Sequence, residues 1–198
     1  MTQKIVLASG NQGKLREFNQ VLGELGVEVV PQSEFNVEDA EETGLSFVEN
    51  AIIKARHACE ITGLPALADD SGLEVDALLG APGIYSARFA GPGATDADNN
   101  QKLLQQLAVR DEPRTARFRC VLVYMRHAKD PTPLICQGSW EGEILRKPSG
   151  DNGFGYDPLF YIPELDKASA QLAPAEKNSL SHRGKAVRQL IENIPAYL

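Results

Sequence analysis

The chain has few histidines, few cysteines and no excess of basic residues, and each shortage excludes a class of function. Histidine occurs only at positions 57, 127 and 182, and cysteine only at 59, 120 and 136. No His or Cys cluster has the spacing of zinc ligands, which excludes a zinc centre. No C-x-x-C pair is present. An odd, scattered set of cysteines reads as reduced thiols packed in the interior of a cytoplasmic protein. The formal net charge of −7 argues against a nucleic-acid partner, because a broad nucleic-acid surface needs basic residues in excess. It leaves room for a small phosphorylated ligand in a local basic pocket. No apolar run approaches the ~20 residues of a membrane span. Nothing at the N-terminus has the pattern of a signal peptide, so neither a membrane partner nor secretion is expected. The G-x-S-x-G elbow of a serine hydrolase is missing, as are repeats, low-complexity tracts and linkers.

What is present is an ordinary globular composition, with 42% hydrophobic and 24% charged residues in 198. That length suits one domain with a substantial core. Strand and helix signals alternate. The apolar run Ile5-Val6-Leu7-Ala8 leads into a helical stripe of Leu15, Phe18, Leu22 and Leu25, and a second strand is expected over Val27–Val30. Ser46 and Glu49 have the spacing of a capping box, opening a helix to about Gly63 with Phe47, Ala51, Ala55 and Ala58 on one face. A short strand is expected to end at Leu67-Ala68, and residues 80–95 read as a long loop. Thr95 or Asp96 caps a helix carrying Leu103, Leu104 and Leu107. Two β segments, about 116–125 and 134–140, flank Pro131 and Pro133 and suggest an antiparallel pair. Pro174 suits the first turn of a short helix and Ser181 the cap of the last one, with Val187, Leu190, Ile191 and Ile194 inward. The pattern is that of one α/β domain with a β-rich insertion in its second half.

The most informative segment is Ser9-Gly10-Asn11-Gln12-Gly13-Lys14, where the first strand hands over to the first helix. The N–H groups at a helix N-terminus attract phosphate, and Lys14 adds a positive charge. The spacing of Gly10 and Gly13, with Leu15 after the lysine, is not that of a Walker A loop. Glu41 and Glu42 lie in an acidic loop, and Asp69 and Asp70 follow a predicted strand end, where α/β sites often form. Carboxylates from separate loops suit Mg²⁺, which takes one or two of them with phosphate oxygens and waters; the same residues read as a solvated loop and a turn-capping pair. Phe154-Gly155-Tyr156-Asp157 offers an aromatic face beside a flexible backbone, as base stacking needs, or a core aromatic next to a turn. Ser181-His182-Arg183-Gly184 places donors at a helix start, where Arg183 suits a carbonyl or phosphate oxygen.

Together and in this order, these segments resemble the inosine/xanthosine triphosphate pyrophosphatases over essentially the whole chain. The motifs are residues 9–14, Glu-Glu-Thr-Gly (41–44), Glu-Asn-Ala-x-x-Lys-Ala (49–55) and Ala-Asp-Asp-Ser-Gly-Leu (68–73), then Gly-Ala-Pro-Gly-Ile-Tyr-Ser-Ala-Arg (80–88), Gly-Phe-Gly-Tyr-Asp-Pro (153–158), Lys177-Asn178 and Ser-His-Arg-Gly (181–184). The resemblance implies a single two-lobed domain over residues 1–198, with an elongated central mixed β-sheet flanked by helices. The β-rich insertion would form the second lobe, with an active-site cleft between the lobes. It implies Mg²⁺-dependent hydrolysis of ITP, dITP and XTP to the monophosphate and pyrophosphate by a homodimer. By the same resemblance Ser9, Gly10, Asn11, Gln12, Gly13 and Lys14 grip the triphosphate, Glu41 and Asp70 hold the metal, and Asp70 is the base that activates water. Ser71, Phe154, Gly155, Tyr156, Asp157, Lys177, His182 and Arg183 match substrate-binding positions, with Glu42, Lys54 and Asp69 in support.

Overall fold

The computed structural model describes residues 3–109 and 113–198. In chain order the regular elements are β1 (Gln3–Leu7), α1 (Gln12–Gly23), β2 (Val27–Pro31), α2 (Phe47–Thr62), β3 (Ala66–Val75), α3 (Asp96–Ala108), β4 (Thr115–Met125), β5 (Leu134–Ile144), β6 (Phe160–Ile162), β7 (Lys167–Ala168), α4 (Pro174–Leu180) and α5 (His182–Asn193). Among the described residues the strands form a seven-stranded sheet in the order β2-β1-β3-β4-β5-β6-β7. β1 pairs in parallel with both β2 and β3, while β6 pairs antiparallel with β5 and β7, so the sheet is mixed. Parallel neighbours need a crossover, and α1 and α2 supply it. Ile5, Val6 and Leu7 are fully buried, the unbroken apolar run of a strand covered on both faces.

The chain divides into two compact units. The first comprises Met1–Asp70, Val121–Gln137 and Ala186–Leu198, and the second Ser71–Cys120 and Gly138–Lys185. In the first, α1 packs on β2 and buries Phe18 and Leu22, and α2 packs on β1. The α2 contact face is Phe47, Ala51, Ala55, Ala58 and Cys59, all buried. The Ser46 Oγ accepts the Glu49 N–H at 3.4 Å, and the Glu49 carboxylate returns to the Ser46 hydroxyl at 2.7 Å and the Leu45 N–H at 3.0 Å. Leu25 departs from its expected place on the α1 stripe. The helix stops at Gly23, and Leu25 lies beyond it, 38% exposed.

In the second unit Leu73, Val75, Leu103, Leu107, Phe118, Trp140, Tyr156 and Phe160 share one apolar core. Thr95 caps α3 in a reciprocal box with Asp98. The expected long loop holds a short 3₁₀ helix, Gly83–Arg88, because the Ser86 hydroxyl donates to the Gly83 carbonyl at 2.6 Å and accepts the Leu73 N–H at 2.9 Å. β5 outruns its expected end at Trp140, since pairing of Glu143 with Tyr161 on β6 overrides the low strand preference of Glu141-Gly142-Glu143.

The larger departure concerns β3. It does not end at Ala68 but continues through Asp69, Asp70, Ser71 and Gly72 to Val75. Asp and Gly are poor strand formers, and sheet pairing decides the conformation instead.

Gly44 fixes how the acidic loop meets α2. Its N–H donates to the Asn50 Oδ1 at 2.8 Å, and a Cβ there would stand 2.6 Å from the Glu49 Cβ and 2.7 Å from that oxygen. Gly44→Ala should therefore destabilise the protein by about 1–3 kcal/mol, the usual cost of overpacking. A lower urea midpoint with an unchanged m-value checks it, and an unchanged midpoint refutes it.

Candidate active site

The first cluster arises where β1 leaves β3. Val6 and Leu7 pair with Ala66 and Leu67, and the Ala8 N–H donates to the Leu67 carbonyl at 2.9 Å. The chain then turns away at Ser9 while β3 carries on as Asp69-Asp70. β1 also lies between β2 and β3, so its carboxyl end is a topological switch point, where open α/β sheets bind ligands.

The loop Ser9–Lys14 is formed as a cap. Asn11 is the N-cap of α1, and its Oδ1 accepts the N–H groups of Gly13 at 2.8 Å and Lys14 at 3.1 Å. The Asn11 N–H in turn reaches the Ser9 hydroxyl at 3.2 Å. The helix-end donors expected for phosphate are thus present but held by a side-chain oxygen. Gly10, Gln12 and Gly13 are exposed on the same turn. The Lys14 ammonium lies 2.9 and 2.7 Å from the two carboxylate oxygens of Asp69. Asp69 is only 3% exposed, a buried anchor for that lysine.

One residue on, Lys54 of α2 bridges Asp70 at 3.2 Å and Glu42 at 2.9 Å. Burial works against the Lys54 charge, yet Asp70 and Glu42 hold its pKa above the ordinary lysine value. For Asp70 burial is the largest effect and raises the pKa. Lys54 opposes that rise, and Glu42 and Asp69 add to it, so the net shift is upward. The Asp70 Oδ2 is buried and has no hydrogen-bond partner among the described residues. Glu41 stands outside this set of ion pairs. It is exposed and lines a hollow of about 300 Å³ with Asp39, Arg56, His57 and Glu60. Glu42, expected only in support, is the loop carboxylate linked to Asp70 through Lys54.

No group of three or more His, Cys, Asp or Glu converges as a metal cage among the described residues. Mg²⁺ does not require one, since substrate phosphates and waters complete its shell. The orphaned Asp70 oxygen is a fitting ligand. Lys14 and Lys54 against Asp69, Asp70 and Glu42 leave the paired groups with a net negative charge, so a polyphosphate would meet repulsion without a further cation.

The second cluster lies on the second unit. Phe154 is 77% exposed, with the Lys177 ammonium 4.7 Å from its ring centroid. Lys177 also donates to the Asp157 Oδ2 at 2.5 Å. Asp157 is 2% exposed, and its carboxylate also accepts the Phe154 N–H at 2.9 Å and the Ser169 hydroxyl at 2.9 Å. It shapes the loop from within. Tyr156 is buried in the core and its hydroxyl donates to the Ser86 carbonyl at 2.7 Å. Of the two readings of this run, Phe154 is the exposed face and Tyr156 the core aromatic. Ser181 caps α5 by accepting the Gly184 N–H at 3.1 Å. His182 stacks on Phe118 with ring centroids 4.9 Å apart, and Arg183 follows on the first turn. Ser71 is exposed on β3, where the chain enters this unit. Asp96 and Asn100 of α3 bond the backbone of Gly155. Neither belongs to a recognisable motif, and only the register of α3 against that loop reveals them.

An open mixed sheet with paired lysines and carboxylates at the β1 switch point is an α/β architecture of the kind that binds ligands there. The chain belongs to the Ham1 family, whose profile matches residues 5–193. It is 63% identical over 193 residues to the dITP/XTP pyrophosphatase of Vibrio cholerae, an alignment covering 97% of this chain and 96% of the relative. It is 66% identical over 189 residues to the dITP/XTP pyrophosphatase of Shewanella oneidensis, covering 96% and 92%. Among solved structures, a HAM1 protein from Coxiella burnetii, 55% identical, matches with a TM-score of 0.96 over 98% of this chain and 99% of that one.

The upward shift of Asp70 has a consequence for stability. A carboxyl whose pKa is raised in the folded state contributes stability that is full below the unfolded value, about pH 4, and is lost as pH rises through the folded value. Asp70→Asn stays neutral throughout. At pH 7 without divalent cations it should therefore melt above the parent, and the gap should close toward pH 3–4. Thermal unfolding across pH checks this, and equal Tm values at pH 7 would show that the native fold tolerates the ionised carboxylate without cost.

Proposed function

We propose that this chain hydrolyses non-standard purine nucleoside triphosphates (ITP, dITP and XTP) to the monophosphate and pyrophosphate. The observation that carries the reading is the unpartnered, buried Asp70 oxygen beside Lys54 and the Lys14 loop. The names of the relatives, dITP/XTP pyrophosphatase, supply the substrate class.

In this reading Ser9 to Lys14 takes the triphosphate, with the Gly13 and Lys14 N–H groups exchanging the Asn11 oxygen for phosphate oxygens. Lys14 and Lys54 spread positive charge along the chain of phosphates, which would otherwise repel a nucleophile. Asp70 and Glu41 would hold Mg²⁺, Glu41 being the loop acid that is not committed to Lys54. When bound, the ion neutralises phosphate charge and acidifies or orients a water. Asp70 is also the group that would accept the proton of the attacking water. Asp69 keeps Lys14 in place.

Phe154 offers its ring to a purine, and Lys177, His182, Arg183 and Ser71 supply polar contacts to the nucleotide. Hypoxanthine and xanthine present an acceptor oxygen at position 6, where adenine presents an amino donor. Facing adenine, a donor of Arg183 or Lys177 directed at position 6 would meet a second donor instead of an acceptor, at about 1–3 kcal/mol for each buried group denied its bond. A homodimer in the cytoplasm with no nucleic-acid partner completes the proposal. It is supported by the family resemblance, by buried thiols at Cys59 and Cys136 that burial pushes up to about 11, and by the net charge of −7. No helix among the described residues is long and apolar enough to cross a membrane.

Purified protein with inosine triphosphate and Mg²⁺ should release pyrophosphate and monophosphate. EDTA should stop the reaction, and Asp70→Asn should cut turnover at least ~10²-fold, the scale of general acid–base contributions. Orthophosphate as the first product, or a near-normal Asp70→Asn enzyme, overturns the assignment.

Base selection has its own test. Arg183→Ala should lower kcat/KM for inosine triphosphate more than for adenosine triphosphate, shrinking their ratio roughly tenfold, or about 1.4 kcal/mol of discrimination. A parallel fall with an unchanged ratio would move Arg183 to the phosphates.

A further inference from the structure

Phe154 poses a physical problem. A large apolar ring left 77% exposed gains by folding back onto apolar surface, and its loop has little stiffness of its own. Gly153 and Gly155 both sit at positive φ, +80° and +60°, in a conformation that glycine adopts without strain but does not hold. Something outside the loop must keep the ring standing.

From inside, the Asp157 carboxylate fixes the Phe154 N–H. From outside, the tip is gripped by the first turn of α3. The Gly155 N–H donates to the Asp96 Oδ2 at 2.6 Å, and the Gly155 carbonyl accepts from the Asn100 Nδ2 at 2.7 Å. Asn100 also donates to the Asp96 carbonyl at 2.8 Å, one helical turn away. Both polar groups of one glycine are therefore bonded to two side chains on the same face of a helix. That helix is itself fixed to the second unit, through its Thr95–Asp98 cap and through Asn99, which accepts the Ala90 N–H at 2.7 Å and donates to the Ala87 carbonyl at 3.2 Å. A hydrogen bond from a backbone N–H to a carboxylate is among the stronger kinds, and here it acts on the residue next to the ring.

We infer that Asp96 and Asn100 are positioning residues for base recognition, holding Gly155 so that the Phe154 ring stands ready to stack on the purine. The inference rests on the proposed purine triphosphate reading. It assigns these residues to the base end of the substrate alone, since their bonds run to Gly155 and to α3 itself.

The test separates base binding from phosphate binding. Asp96→Ala removes the acceptor for the Gly155 N–H, and Asn100→Ala the donor to its carbonyl. Asp96→Asn keeps an oxygen at the same place. With each variant, KM and kcat are measured with inosine triphosphate, and calorimetric titrations use inosine monophosphate and inorganic pyrophosphate separately. Asp96→Ala and Asn100→Ala should raise KM and weaken the monophosphate about tenfold, the scale of one lost hydrogen bond, with kcat within about threefold. Pyrophosphate affinity should stay at the parent value, and Asp96→Asn should recover most of the loss. An unchanged KM in Asp96→Ala, a matching loss of pyrophosphate affinity, or an Asp96→Asn variant as impaired as Asp96→Ala overturns the inference. If the parent turns over adenosine triphosphate as well as inosine triphosphate, the purine-selectivity reading fails instead, and the contrast between the Asp96 variants in monophosphate binding still decides the role of α3.

Discussion

The parallel ladder between β1 and β3 runs out while β3 continues, and the chemistry of the first unit depends on that mismatch. Leu7 pairs with Leu67, and just beyond this point β1 turns into the Ser9–Lys14 loop while β3 presents Asp69 and Asp70 from rigid backbone. Successive strand residues point to opposite faces, so two adjacent aspartates can take two different lysines. Asp69 pairs with Lys14 and Asp70 with Lys54. A loop carrying the same Asp-Asp pair would not hold them apart in this way.

Much of this was legible in the residues. The strand-to-helix turn, the Ser46 and Thr95 caps and the Pro174 helix start all follow from local rules, and each is found where those rules put it. The end of β3 was not legible, because Asp-Asp-Ser-Gly reads as a turn by propensity and only the sheet makes it a strand. Nor was the pairing of Glu42 with Lys54, since neighbours in an irregular loop have no periodicity to say which one meets that lysine. The four residues from Phe154 to Asp157 look alike as a motif, yet one is exposed, two are buried, and the glycine between them answers to a helix some sixty residues earlier. Long-range hydrogen bonds of that kind leave no pattern in the sequence.

Charge balance links the two halves of the acidic site. The buried carboxylates are compensated by lysines from two different helices, so the order of the site is an order of ion pairs, with α1 and α2 each contributing one cation. Desolvation is costly for such groups unless their partners are well placed, and burial, offset only in part by Lys54, raises the Asp70 pKa. Sites of this kind retain a strained group where the chemistry needs one.

In the proposed reading, Asn11 gives the Ser9–Lys14 loop a resident competitor for phosphate. Its side-chain oxygen is tethered two and three residues from the N–H groups that it occupies, and a tethered ligand acts at a high effective concentration. A lone orthophosphate ion would have to displace it with a single contact and would gain little. A chain of phosphates, anchored elsewhere along its length, pits one intramolecular ligand against another and competes on equal terms. In that reading, the cap that stabilises the first helix would also discriminate against small free anions.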